Sequence, residues 1–283
     1  MQPIEINAQD AKPARNAAKQ AVADFWEDGS CGEHLYLDGK DAENFQAHRE
    51  IRYQLEPEIL TFMDETDWKG KRVLEIGVGL GSDHQELAER GAILSGIDLT
   101  ARAIANTKQR FAVNNLQSDL KVGDAENLPF DDATFDIVYS WGVIHCSPDT
   151  PKAAREILRV LKPGGKIKVM IYNKWSLIGL MLWGRYGLLA GKPFMSLAEV
   201  YDKYLESPGT KCYTPAEGAE LFKGATVKTS VVLTHGDLLE SAVGQRHRGF
   251  ALDIARKLWP RWLLRRIAGD HGLFLLIDGH KAS

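Results

Sequence analysis

The feature that most constrains the fold is a glycine-rich loop between two apolar runs. Residues 73–81 read Val-Leu-Glu-Ile-Gly-Val-Gly-Leu-Gly, and a second apolar run ends at Ile97-Asp98-Leu99. This order predicts a strand, a tight turn, a helix and a second strand that ends in a carboxylate. Such an arrangement brings backbone against a nucleoside and an acidic side chain against its ribose hydroxyls.

The spacing of the glycines distinguishes between two nucleoside cofactors. In the Gly-x-Gly-x-x-Gly fingerprint of dinucleotide-binding proteins the third glycine falls at position 82, where this chain has Ser82. The chain has glycines at 77, 79 and 81 instead, and Glu75 lies inside the preceding strand. The spacing therefore argues against a nicotinamide cofactor.

After the loop, strand and helix patterns alternate along the chain. Apolar runs predict strands near 72–77, 93–98, 118–123, 136–141 and 166–172, with two more at 225–234 and 273–278. Periodic segments predict helices near 83–90, 101–114 and 151–161. Because such alternation requires right-handed crossovers, we expect an α/β fold with a mainly parallel sheet and helices on both faces.

Segments outside the alternation predict additions to the sheet. Residues 10–25 are typical of a helix, and a second helix is expected over 42–63 with an interruption at Pro57. We therefore expect residues 1–65 to form a helical cap over the cofactor cleft and residues 66–283 to form the main domain. Within that domain, lid-like insertions are expected at about 175–215 and 235–270.

Composition excludes several classes of protein. The 283 residues are 44% hydrophobic and 26% charged, which is typical of a globular protein with a sizeable core. A net charge of −3 provides no general attraction to polyanions, so nucleic acid is not expected as a partner. Three separated cysteines and an N-terminus without signal-peptide features favour a cytoplasmic location.

Further motifs follow the loop in a fixed order. Gly123-Asp124-Ala125 comes after the third strand, residues 135–145 form the fourth strand and its exit, and residues 159–165 (Arg-Val-Leu-Lys-Pro-Gly-Gly) lead into the fifth. With the glycine loop and Asp98, this set resembles the small-molecule, type 11-like branch of the class I S-adenosylmethionine-dependent methyltransferases over roughly residues 70–172. The resemblance implies a Rossmann-like, seven-stranded sheet, with S-adenosylmethionine as cofactor and S-adenosylhomocysteine as product.

The resemblance also implies which residues bind the nucleoside half of the cofactor. Asp98, with Leu99 beside it, is expected to accept hydrogen bonds from both ribose hydroxyls. Asp124 and the backbone amide of Ala125 are expected to contact the adenine. Backbone next to the ligand is expected at two glycines, where a Cβ would clash: Gly77 and Gly79.

Three residues are expected at the methionyl end of the cofactor. The backbone of Ser140 and the negative potential of Glu75 are assigned to the ammonium group, and Arg52 is assigned to the carboxylate. Other roles remain open for two of them. Glu75 is also compatible with a strand carboxylate satisfied by backbone amides, and Arg52 with a salt bridge to Glu50 or Glu56 on its own helix.

His145 is the best sequence candidate for a general base. It lies at the exit of the fourth strand, beside the expected methyl position, and its ordinary pKa is close to physiological pH. Its alternative roles are to cap a carbonyl or to shape the pocket. No metal is expected, because Ser140-Trp141-Gly142 stands where metal-assisted, catechol-type methyltransferases have an acidic cluster.

Together these features predict a methyltransferase that moves a methyl group to a small-molecule acceptor. Oxygen is favoured as the acceptor atom over N, S or C, and the apolar lid segment favours a partly apolar acceptor. Two alternatives remain: a regulatory protein that binds the cofactor without turnover, and an NAD(P)-dependent oxidoreductase. The basic, aromatic stretch 256–266 predicts either peripheral contact with a membrane or a solvated helix packed against the core.

Overall fold

A seven-stranded sheet forms the centre of the computed structural model, which describes residues 8–240 and 256–283. The strands are β1 (Arg72–Ile76), β2 (Ile93–Asp98), β3 (Asp119–Val122), β4 (Phe135–Trp141), β5 (Leu161–Tyr172), β6 (Ala225–Val232) and β7 (Phe274–Lys281). Their order across the sheet is β3-β2-β1-β4-β5-β7-β6. Strands β1 to β5 pair in parallel, and β7 runs antiparallel between β5 and β6. The predicted mainly parallel, seven-stranded sheet is confirmed.

Eleven α-helices surround the sheet within the part of the chain that the structure describes. They are α1 (Ala8–Asp28), α2 (Glu33–Tyr36), α3 (Ala42–Leu55), α4 (Glu58–Asp64), α5 (Ser82–Glu89), α6 (Ala101–Val113), α7 (Thr150–Val160), α8 (Leu177–Trp183), α9 (Leu197–Val200), α10 (Pro215–Leu221) and α11 (Arg261–Ile267). Wider, π-type turns extend α8 over Gly184–Leu188 and α9 over Tyr201–Leu205.

Local sequence signals explain where several helices begin and end. The side chains of Asp41, Thr100 and Asp149 each accept a hydrogen bond from a backbone amide in the first turn of α3, α6 and α7. The helix expected over 42–63 is divided into α3 and α4 at Pro57, as its position predicted. Proline lacks an amide hydrogen and disfavours a helical conformation in the residue before it.

Both faces of the sheet are buried. In β4, Val138 packs into one apolar cluster, together with the inner face of α7, while Ile137 and Tyr139 pack into a second cluster on the opposite face. This alternation follows from the two-residue period of a strand. It fixes the register of the central strands and so fixes where their carboxyl ends emerge.

The sequence predicts two lid-like insertions in the second half of the chain. The helices α8 and α9 lie between β5 and β6, within the residues (about 175–215) for which a lid-like insertion is predicted. Of the insertion expected at 235–270, residues 241–255 lie outside the described residues. None of the described helices combines the length and apolar character needed to cross a bilayer.

Replacement of Gly96 by alanine is expected to destabilise the protein. A Cβ at this position of β2 would lie 2.7 Å from Val78 and 2.8 Å from both His84 and Leu120. Overpacking of this kind costs about 1–3 kcal/mol, so Gly96→Ala should lower the free energy of unfolding measured in urea by that amount.

Gly184→Ala is the matched control for this measurement. A Cβ at Gly184 would have nothing within 4 Å, and its backbone is helical. Alanine there should leave stability unchanged or raise it by up to about 1 kcal/mol. Equal free energies of unfolding for the two variants would show that the space beside Gly96 is not limiting.

Candidate functional site

A large cleft opens at the carboxyl ends of the parallel strands, between β1 and β4. Its empty volume is about 1340 Å³, open solvent included. In sheets of this topology, ligands bind where the strand order reverses, which is the position of this cleft. Eight of the predicted cofactor residues line it: Arg52, Glu75, Gly77, Gly79, Asp98, Leu99, Asp124 and Ala125.

The loop between β1 and α5 depends on three glycines with positive φ. The φ angles are 84° at Gly77, 52° at Gly79 and 75° at Gly81. A Cβ at Gly77 would lie 2.2 Å from Val143, and one at Gly81 would lie 2.8 Å from Thr107, whereas Gly79 has nothing within 4 Å. The sequence predicted that glycine is needed in this loop because a ligand approaches the backbone closely. At Gly77 and Gly81 glycine is needed in any case, because Val143 and Thr107 occupy the space that a Cβ would fill.

Asp98 is held directly beneath this loop. Its carboxylate accepts hydrogen bonds from the Gly79 amide at 3.1 Å, the Thr100 amide at 3.0 Å and the Thr100 hydroxyl at 2.8 Å. Burial raises the pKa of Asp98, while the hydrogen bonds from Thr100 and Gly79 lower it. The side chain therefore has a fixed orientation at the cleft wall before any ligand binds.

Glu75 has a partner that the sequence did not reveal. Its carboxyl lies 2.7 Å from Nδ1 of His84, and Nε2 of that ring lies 2.7 Å from the Ser118 hydroxyl, which donates to the Leu94 carbonyl. Burial raises the pKa of Glu75 well above its usual range and lowers that of His84 to about 3. The uncharged forms of both groups are favoured, with Glu75 donating to the ring. An uncharged Glu75 argues against the negative potential expected from it. The other role considered for Glu75, a carboxylate that accepts from backbone amides, did not include a histidine partner either.

Arg52 forms its main contact with an acidic residue on α5. Its guanidinium donates to both carboxylate oxygens of Asp83, at 2.9 and 2.8 Å, and lies 3.7 Å from Glu56. The Tyr139 hydroxyl also donates to Asp83, at 3.1 Å. The salt bridge to Glu56 considered from the sequence is therefore a secondary contact. Arg52 remains at the cleft wall, where a ligand carboxylate can reach it.

The carboxylate assigned to adenine is bound to a lysine of the N-terminal helix. Lys19 donates to Asp124 at 2.6 Å and to Glu126 at 2.8 Å. Lys19 also lines the cleft, as do Val22 and Trp26 of the same helix. Helix α1 thus lies against the end of the cleft that contains Asp124. This contact joins segments about 100 residues apart, and no local pattern indicates it.

Two predicted site residues do not line the cleft. Ser140 is fully buried within the β-ladder and donates from its hydroxyl to the Ile76 carbonyl at 3.1 Å, so the lining begins with Trp141 and Gly142. His145 is also fully buried, with its ring 4.0 Å from that of Tyr172. Burial and the nearby Lys211 lower the pKa of His145 to about 3. The burial of His145 argues against its assigned role, because a general base must reach the acceptor. The contact assigned to the backbone of Ser140 stays a prediction.

The far end of the cleft is an apolar chamber with a few polar groups. Its apolar lining includes Trp141, Val143, Met170 and Phe274. Glu206, which the sequence analysis missed, lines this end and accepts a hydrogen bond from the Tyr172 hydroxyl at 2.8 Å. No motif marked Glu206, because it follows the lid helix rather than a strand.

Comparison with known proteins connects this geometry to a family. Residues 74–169 match the profile of the methyltransferase domain family. Over 103 residues the chain is 40% identical to the phthiotriol/phenolphthiotriol dimycocerosates methyltransferase of Mycobacterium tuberculosis, covering 36% of this chain and 37% of that protein. It is 28% identical over 180 residues to the chloroplastic tocopherol O-methyltransferase of Arabidopsis thaliana, covering 57% of this chain and 52% of that protein. The chain thus spans between about a third and a half of the length of these curated relatives.

Solved structures share the fold over more of the chain. One is a complex between the Haloferax volcanii Trm112 methyltransferase activator and a putative methyltransferase, with a TM-score of 0.59 at 18% identity over 93% of this chain and 98% of that one. Another is Haemonchus contortus phosphoethanolamine N-methyltransferase 2 with phosphomonomethylethanolamine and S-adenosylhomocysteine. Its TM-score is 0.58 at 23% identity, over 80% of this chain and 53% of that one. Residues 74–169 therefore match the methyltransferase domain family, and the sheet that contains them has the same fold as these solved methyltransferase structures.

Proposed function

We propose that this protein transfers a methyl group from S-adenosylmethionine to a small-molecule acceptor. The observation that carries the proposal is a single cleft that joins the glycine loop and Asp98 to an apolar chamber. The matched methyltransferase domain supports the same cofactor. The nucleoside would lie at the loop, and the sulfonium would lie where the cleft enters the chamber.

The chemistry makes modest demands on the protein. The acceptor atom attacks the methyl carbon in line with the breaking S–CH₃ bond, and the bond electrons return to sulfur as S-adenosylhomocysteine forms. Alignment of two reactants in this way can contribute on the order of 7–11 kcal/mol. The buried side chains of Trp141, Met170 and Phe274 line the chamber and would hold the acceptor in line with the methyl group.

The acceptor is proposed to be partly apolar, with oxygen favoured as the methylated atom. The apolar lining of the chamber supports the first point. The second is supported by the name of one relative, a tocopherol O-methyltransferase. The name of a structural neighbour, a phosphoethanolamine N-methyltransferase, keeps nitrogen as the second choice.

Two further proposals concern the organisation and location of the chain. Residues 1–65 are proposed to cap the cofactor cleft, since Lys19 and Trp26 of α1 and His48 and Arg52 of α3 all line it. A cytoplasmic location is proposed because the three cysteines, Cys31, Cys146 and Cys212, are all free thiols.

Two binding measurements and one turnover measurement separate the proposal from its alternatives. Calorimetric titration should detect binding of S-adenosylhomocysteine, and fluorescence titration should detect none of NADH. Incubation with methyl-labelled S-adenosylmethionine and a small-molecule extract should then give a labelled product. Cofactor binding without any labelled product would favour the regulatory alternative, and NADH binding alone would favour the oxidoreductase.

Asp98→Ala is expected to weaken binding of S-adenosylhomocysteine at least about tenfold. Hydrogen bonds from the ribose hydroxyls to a carboxylate contribute about 1.5–3 kcal/mol each. Asp119→Ala is the matched control, because Asp119 begins the neighbouring strand β3 and its carboxylate forms an exposed ion pair with Lys121. An unchanged affinity in Asp98→Ala, measured by calorimetry, would refute the assignment.

Arg52→Ala tests the methionyl end with a pair of ligands. If Arg52 binds the methionyl carboxylate, the variant should bind S-adenosylhomocysteine at least about tenfold more weakly and 5′-methylthioadenosine, which lacks that carboxylate, as the wild type does. Because Asp98→Ala should weaken both ligands, it serves as the comparison. A parallel loss for both ligands in Arg52→Ala would show that Arg52 acts only through its ion pair with Asp83.

Peripheral membrane contact through 256–266 is proposed from the surface of this stretch. Leu258 is 76% exposed and Trp262 is 72% exposed, next to the basic Arg265 and Arg266. The wild type is therefore expected to cosediment with phosphatidylglycerol vesicles, and Leu258→Ser/Trp262→Ser should cosediment less. Equal sedimentation of the two proteins would favour the alternative, a helix packed on segment 237–240 through Trp259 and Arg261.

A further inference from the structure

We propose that His145, Cys146 and Glu206 bind a zinc ion at the inner end of the cleft. The role of this ion in methyl transfer rests on the proposed function, whereas its binding to the protein does not. The proposal replaces the sequence-based expectation that no metal is present.

The tertiary structure brings the three groups together from two segments. His145 and Cys146 lie in the single turn Ile144–Cys146 that follows β4, and Glu206 follows the turn Tyr201–Leu205 of the lid. One potential ligand atom from each side chain lies within 4.8 Å of those of the other two. Cys146 and Glu206 also line the cleft, so an ion between them would face the apolar chamber.

The burial and hydrogen bonding of His145 are a second, independent observation that points to a metal ligand. The side chain has no exposed surface, and neither ring nitrogen has a hydrogen-bond partner among the described residues. A buried polar group without a partner costs about 1–3 kcal/mol, and such groups are rare in native proteins. A bound cation would satisfy one of the two nitrogens, on the side of the ring where Cys146 and Glu206 offer their ligand atoms.

The chemistry of the donor set favours zinc. An imidazole, a thiolate and a carboxylate are the N, S and O ligands that zinc accepts, and three protein ligands with an open fourth position are typical of catalytic zinc sites. Ligand atoms on one tetrahedral zinc lie about 3.5 Å apart, so side-chain movements of about an ångström would close the site. The Tyr172 hydroxyl, which donates to Glu206 at 2.8 Å, would orient that ligand from outside.

The open position gives the ion a role in the proposed reaction. An acceptor hydroxyl or thiol bound there would lose its proton to solvent more readily, since zinc lowers the pKa of a bound water to about 7. The acceptor's electron pair would then form the new bond to the methyl carbon while the S–CH₃ bond breaks. This role would explain why no cleft residue among those described stands out as a general base.

Zinc binding to the metal-free full-length chain tests the site directly. In competition with a chromophoric chelator, we expect one zinc ion per chain with a Kd below about 1 µM. Cys146→Ser should weaken zinc binding at least about 100-fold. Mutation of a group that only hydrogen-bonds to a metal ligand already weakens metal binding by about 10–100-fold, and loss of the ligand itself should weaken it more. Cys212→Ser is the matched control, because Cys212 lies outside the cleft lining, and it should bind zinc as the wild type does. A wild-type Kd weaker than about 1 µM, or an equal Kd in Cys146→Ser, would overturn the proposal.

Cobalt(II) provides a second readout that does not depend on affinity. The cobalt-loaded protein should show a thiolate-to-metal charge-transfer band that is absent in Cys146→Ser, and azide should shift its visible bands by occupying the open position. A band retained in Cys146→Ser but lost in Cys31→Ser would place the metal elsewhere and overturn the assignment. An azide-insensitive spectrum would overturn the open fourth position.

Binding of S-adenosylhomocysteine, measured on the same samples, separates this proposal from the proposed function. The wild type and Cys212→Ser should bind it equally, because Cys212 lies outside the cleft lining. Circular dichroism should show that Cys146→Ser is folded. Intact binding of S-adenosylhomocysteine without zinc binding would overturn the metal site alone. Intact zinc binding without binding of S-adenosylhomocysteine would overturn the proposed function alone.

Discussion

The turn from β1 into α5 runs so close to neighbouring segments that no side chain fits at Gly77 or Gly81. Val143, after β4, fills the space that a Cβ at Gly77 would need, and Thr107 of α6 does the same at Gly81. This packing leaves the Gly79 amide facing Asp98, which it binds at 3.1 Å. Because one loop contacts the ends of β2 and β4 and the body of α6, it determines both the junction of these elements and the shape of the cleft above them.

Beneath and beside the loop, buried polar groups are paired in two different ways. Glu75 and His84 lie on the β1 side and are stabilised as uncharged partners, whereas Arg52 and Asp83 form a charged, two-point contact that joins α3 to α5. Both residues of the second pair line the cleft, and the Arg52 side chain is 22% exposed. The protein therefore places this charged pair at the cleft wall and keeps charge out of the sheet interior, where an isolated charge is strongly unfavourable.

The lining of the cleft changes from polar to mainly apolar along its length. In the proposed reaction, the polar part would bind the cofactor and the apolar part would bind the acceptor. The end near α1 is polar, with Asp124 and Lys19 in direct contact. The other end is lined mainly by apolar side chains, with Glu56 and Glu206 among its few polar groups. A charged donor and a partly apolar acceptor can therefore meet at the boundary. Glu206 of the apolar end lies in the segment between β5 and β6, outside the residues that match the family, which end at residue 169.

The sequence by itself determined the sheet, the turn and the position of Asp98, because these depend on local periodicity, on glycine spacing and on the ends of parallel strands. It could not place Lys19 against Asp124, His84 against Glu75 or Glu206 beside His145. Those contacts join segments that have no common pattern, and they form only when the helices pack on a completed sheet. For the same reason His145, which lies in a motif at the exit of β4, was expected to reach the acceptor although its ring is fully buried against Tyr172. The local sequence predicts where a strand ends, and only packing decides how far the side chain that follows it is exposed.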